Sequence, residues 1–68
     1  MMYQRIRDLR EDADLTQKEM AERVYISHSA YVRYERGNVE IPLNIAILLA
    51  QYHRVSLDYL AGLSDKKR

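Results

Sequence analysis

The sequence has 68 residues, with 11 lysine and arginine against 10 aspartate and glutamate, a net charge of +1 and no cysteine. A chain this short buries only about 60% of its unfolded surface, so one domain over residues 1–68 is expected, with no room for a catalytic pocket and no thiols for a disulfide framework or a thiolate metal site. No run approaches the ~18 apolar residues that cross a bilayer and no secretory leader pattern opens the chain, so the expectation is a soluble cytoplasmic protein that is not an enzyme and takes no cofactor, membrane or small-molecule ligand.

Two glycines, one proline and apolar residues recurring at three and four predict an all-α chain of five helices. The first, from about Tyr3 to Asp12, is expected to bury Ile6, Leu9 and Ala13 on one stripe and to turn Arg5, Arg7, Asp8, Glu11 and Asp12 to water. The second opens with Thr16-Gln17-Lys18-Glu19, the pattern of a capping box, with Leu15 and Met20 as its hydrophobic staple. Gln17 and Lys18 then lie in a first turn whose free amides favour a phosphate oxygen. Equally, they are ordinary solvent-facing residues of a helix start.

Helix 3 repeats the start signal with Ser27 as cap and Ile26 packing on Tyr31, and is expected to stop near Arg36, before Gly37 and Asn38. Helices 2 and 3, joined by Tyr25-Ile26-Ser27, have the form of a helix-turn-helix, whose second helix enters the major groove of DNA. With Ala30, Tyr31 and Tyr34 turned inward, His28, Ser29, Val32 and Arg33 point out. Arg33 suits guanine O6 and N7, His28 and Ser29 suit base edges, and Val32 suits a thymine methyl. The competing reading of this face is a merely solvated one. Arg36 and Asn38 are further candidates for phosphate.

Pro42 is expected to open helix 4, which runs to about His53. Leu43, Ala46, Leu49, Ala50 and His53 form its expected inner face, while Ile45, Leu48 and Tyr52 make a second stripe that would pair across a two-fold axis with helix 5 near Tyr59. The alternative is a helix 4 buried between its neighbours. No second metal ligand stands at a useful spacing from His53, which reads as a partly buried core histidine. Helix 5 starts with Ser56 as cap and Val55 against Leu60, and Ser64 to Arg68 are expected to fray.

The segments RIRDLRED, LTQKEMAERV, ISHSAYVRYERG, IPLNIAILLAQY and VSLDYLAGLSD, spanning Ile6 to Asp65, resemble the Cro and phage-repressor helix-turn-helix family, the XRE family. The resemblance implies a compact five-helix, lambda-repressor-like DNA-binding domain that acts as a transcriptional repressor, with double-stranded DNA as partner and usually a homodimer on a two-fold site. It also implies a phosphate contact at Gln17, base reading by His28, Ser29 and Arg33, and an internal ion pair between Arg10 and Glu35. Tyr25 replaces the usual turn glycine, His53 an apolar aromatic residue, and Glu40 a basic residue before helix 4. The modest net charge and Glu40 leave a second reading open, a protein-interaction module such as an antitoxin or adaptor.

Overall fold

The computed structural model describes residues 4–68, and the expected start of helix 1 at Tyr3 lies outside the described residues. Among the described residues there are five helices and no strand: α1 Gln4–Asp12, α2 Gln17–Arg23, α3 His28–Arg36, α4 Leu43–His53 and α5 Leu57–Leu60. Three start where a hydroxyl meets a free helix amide. Thr16 Oγ1 accepts from the Glu19 amide at 3.1 Å while Glu19 Oε1 accepts from the Thr16 amide at 2.9 Å, completing a capping box. Ser27 accepts from the Ala30 amide at 3.1 Å and Ser56 from the Tyr59 amide at 3.0 Å. Pro42 is the N-cap of α4 and not its first helical residue.

All five helices close by one device. The chain turns left-handed at Asp14, Tyr25, Gly37, Arg54 and Gly62, with φ of 58, 61, 78, 58 and 81°. The next amide then reaches back into the helix just ended: Leu15 to the Arg10 carbonyl, Ile26 to Ala21, Asn38 to Arg33, Val55 to Ala50 and Leu63 to Asp58. These are Schellman closures, which satisfy carbonyls that a helix end would otherwise leave bare. At Leu15, Ile26 and Val55 the residue that makes this bond also precedes the cap of the following helix. One apolar side chain thus finishes one helix and staples the next.

In the core, Ile6, Met20, Val24, Tyr31 and Leu49 are fully buried, and Leu9, Ala21, Ile45, Ala50, Val55 and Leu60 complete it. Each fully buried aliphatic side chain contributes about 1.5–3 kcal/mol relative to an exposed one. Helix α2 packs on α3, α5 packs on α4, and α1 touches both α3 and α5. No helix among the described residues is long and apolar enough to cross a membrane.

Four expectations need correction. Ala13 is exposed, because α1 ends at Asp12 and the chain turns away. On α4 the expected faces are partly exchanged: Ile45 is only 8% exposed and belongs to the core, whereas Leu43 is 67% exposed. That helix is apolar nearly all round, so its pattern does not single out the inward face. Arg5 does not face water; its guanidinium lies 4.2 Å from the centre of the Tyr59 ring and donates to the Tyr59 carbonyl at 2.9 Å, the Ser64 carbonyl and Asp65. The tail from Ser64 to Arg68 is therefore fastened at one end, and the Ser56 amide donates to the Lys67 carbonyl at the other.

Candidate nucleic-acid interface

The turn before α3 is set by Tyr25, whose left-handed backbone lets Ile26 swing under the molecule and Ser27 cap the helix. From that start, Tyr31 and Glu35 are buried, Ala30, Val32 and Tyr34 are half-buried, and His28, Ser29 and Arg33 are exposed. The inner residues follow the helical repeat and fix the rotation of α3 about its axis. His28, Ser29 and Arg33 consequently leave the same side of one rod, with Val32 beside them partly covered. Ser29 Oγ lies 3.4 Å from the Ser27 hydroxyl, at the start of this face.

The rod is braced from behind. Arg10 holds Glu35 through two parallel hydrogen bonds, Nε to Oε2 at 2.9 Å and Nη2 to Oε1 at 3.1 Å, and its Nη1 donates to the Leu15 carbonyl at 2.8 Å. Gln17 Nε2 donates to Glu35 Oε1 at 3.2 Å. One carboxylate, only 5% exposed, thereby ties α1, the start of α2 and the last turn of α3. Burial acts to raise the Glu35 pKa, but the Arg10 guanidinium, followed by the neighbouring Tyr31 and Gln17, outweighs it and holds the carboxyl below its ordinary value. The Tyr31 hydroxyl is buried near this carboxylate without hydrogen-bond geometry to any described group, and burial first and Glu35 second push its ionisation up.

Of the residues expected to hold phosphate, Gln17 and Arg36 line one cleft of about 290 Å³ together with Arg7, Arg10 and Glu35. Lys18 and Asn38 are exposed outside it. Gln17 is not a freely pointing side chain, since one of its two N–H groups serves Glu35. Arg7, read from sequence as a plain solvent-facing residue, is brought into the cleft by the packing of α1 against α3. Its spacing of three from Arg10 was the available signal, because residues three apart share a helix face. Arg7 Nε also lies 3.6 Å from Glu11 on the helix surface.

The residues expected at a two-fold interface are not gathered on a surface. Ile45 is core, Leu48 and Tyr59 pack against the core, and Arg5 covers the Tyr59 ring; only Tyr52 of the set is exposed, edge-on to the His53 ring. The exposed aliphatic residues of α4 and α5 are instead Leu43, Ile47 and Leu57. Beside Leu43 and Leu57 runs a groove of about 190 Å³ whose wall includes Ile6, Ile41, Ala46 and Leu60, with no charged residue in it.

The helix pair agrees with comparison to known proteins. A family model described as helix-turn-helix matches residues 6–60. The chain is 40% identical over 65 residues to the HTH-type transcriptional regulator YobD of Bacillus subtilis, and 32% identical over 65 residues to the cryptic phage CTXphi transcriptional repressor RstR of Vibrio cholerae. It is 35% identical over 68 residues to a second Bacillus subtilis HTH-type regulator, YqaE. These alignments cover 96 to 98% of the chain but only 58 to 59% of each relative. No solved structure matches significantly. With α2 and α3 packed as a capped pair inside the matched span, the chain belongs to the XRE-type helix-turn-helix family.

Proposed function

We propose that the protein binds double-stranded DNA in a sequence-specific manner, with α3 in the major groove, and represses transcription by occupying a two-fold operator as a homodimer. The observation that carries this reading is the outer face of α3, where His28, Ser29 and Arg33 are exposed side by side on a helix whose rotation is fixed by Tyr31 and Glu35. In this reading Arg33 takes guanine O6 and N7, His28 and Ser29 meet neighbouring base edges, and Val32 covers a thymine methyl. The cleft between Arg7, Gln17 and Arg36 receives a backbone phosphate: Arg10 and Glu35 neutralise each other, and Arg36, together with Arg7, which is shared with Glu11, supplies the positive charge. Lys18 and Asn38 hold neighbouring phosphates. The names of RstR, YobD and YqaE support a regulatory role.

The two-fold contact is assigned to the uncharged groove beside Leu43 and Leu57, in place of the stripe Ile45, Leu48, Tyr52 and Tyr59. Selection of bound sequences from a random duplex pool tests the whole reading, because a two-fold repeated motif reports specificity and spacing together. On the selected site, Arg33→Ala should weaken binding by about 1–3 kcal/mol and relax one base position. Gln17→Ala should weaken selected and random duplexes alike. Equal losses on both duplexes for Arg33→Ala would remove it from base reading, and a pool with no enriched motif would sink sequence specificity.

A further inference from the structure

The end of α4, the left-handed Arg54 and the returning tail border a third, shallow and open depression, of about 480 Å³. Its floor includes Ile47, Ala50, Val55 and Leu57, and Arg54 and Arg68 stand at its rim. Ile47 is exposed, and no aspartate or glutamate side chain lines the depression. The tail creates this combination. Arg68 Nε donates to the Arg54 carbonyl at 3.1 Å, the Ser56 amide donates to the Lys67 carbonyl, and Arg5 anchors Ser64 and Asp65 further back. Arg54 and Arg68, 14 residues apart in sequence, are thereby brought together beside apolar side chains.

None of the residues that line this depression lines the phosphate cleft. At about 100° per residue, Arg5 and Arg7 leave α1 roughly 200° apart, on nearly opposite sides. Arg7 lines the cleft and Arg5 holds the tail.

We propose that this depression docks an acidic amphipathic segment of another polypeptide, one apolar side chain seating on Ile47 and Val55 while flanking carboxylates meet Arg54 and Arg68. The charge selects the partner. A nucleic acid backbone would answer the arginines but offers nothing to the aliphatic floor. A second copy of this chain would bring its own Arg54 and Arg68 toward the same rim, a like-charge contact that disfavours self-association here. A lipid surface is broad and gives nothing to fill a concave site, whereas a side chain from a short segment does.

Selection of short peptides from a randomised displayed library on the DNA-bound full chain tests the proposal. Enriched peptides should carry aspartate or glutamate around an apolar residue, should shift the amide resonances of Ile47, Ala50 and Val55, and should lose roughly tenfold in affinity for Arg54→Glu. That substitution leaves the tail bond in place, because the bond uses the Arg54 carbonyl. Arg54→Glu should bind the selected DNA as the unaltered protein does, which separates this surface from the DNA-facing one. An empty selection, peptides without acidic enrichment, or acidic peptides that bind Arg54→Glu equally well would overturn the proposal. So would tighter binding to phosphatidylserine vesicles than to any selected peptide, which would assign the surface to membranes.

Discussion

Tyr25 occupies a left-handed backbone region that costs a residue with a side chain on the order of 1 kcal/mol, and its ring is 86% exposed, so burial returns little of that cost. Replacing it with glycine should therefore stabilise the fold by up to about 1 kcal/mol, less the extra chain entropy that glycine loses. A higher denaturant midpoint at unchanged slope is the expected result. His53 is strained in a different sense. Its Nε2 is buried with no hydrogen-bond partner among the described residues, and burial lowers its pKa below the ordinary 6.5. The unfolded chain consequently binds the proton more readily than the folded one. Stability from the neutral ring is full above pH 6.5 and declines as pH falls below it, by at most about 1.4 kcal/mol per pH unit. Glu35 is held below its ordinary 4.5, so the stability its pairing contributes begins to be lost only as pH falls below 4.5. Thermal unfolding should show a loss that sets in as pH falls below about 6.5 and that His53→Phe abolishes; a His53→Phe protein with the same loss would place the titrating group elsewhere.

At the scale of elements, what was legible in the sequence is what local chemistry writes into it. Thr16, Ser27 and Ser56, each preceded by an apolar residue, announced three helix starts, and Gly37 announced one end. Asp14 and Arg54 announced nothing, although they turn the chain as Gly37 does, because no local rule marks such a residue until the following apolar side chain is known to close the helix behind it. The outer face of α3 could be read because buried and exposed positions alternate cleanly along it; α4 could not, since apolar residues surround most of it. Long-range joins were legible only through the family resemblance, as with Arg10 and Glu35, or not at all, as with Arg5 and the tail. The Arg10–Glu35 brace is the joint most sensitive to change. Glu35→Gln leaves a largely buried guanidinium without its counter-charge, and should cost about 3–5 kcal/mol in denaturant unfolding. Replacing both residues with apolar ones of similar volume should recover much of that loss, which a simple cavity or misfolding effect would not.

For the whole molecule, size and surface together constrain how a two-fold site would be met. The folded chain measures 29 × 23 × 19 Å, so the separations open to equivalent helices of two copies abutting on one face include the roughly 34–36 Å between successive major grooves on one side of a duplex. The contact must then lie away from α3, must be apolar enough to hold, and must tolerate its own image. The groove beside Leu43 meets these conditions: it is walled by α1, α4, α5 and Ile41, has no charge, and carries on its rim a leucine exposed enough to enter the groove of a partner. Leu43→Asp should keep the fold, because this side chain supports little of the core, and should convert the protein from dimer to monomer in sedimentation equilibrium. Affinity for the two-fold site should fall by about 10²–10⁴, the advantage of tethering two half-site contacts, while affinity for an isolated half-site should stay unchanged. Equal loss on both sites would mean that Leu43 acts on the fold or on DNA directly. An unaltered protein that stays monomeric on a saturated two-fold site would remove the groove from assembly altogether.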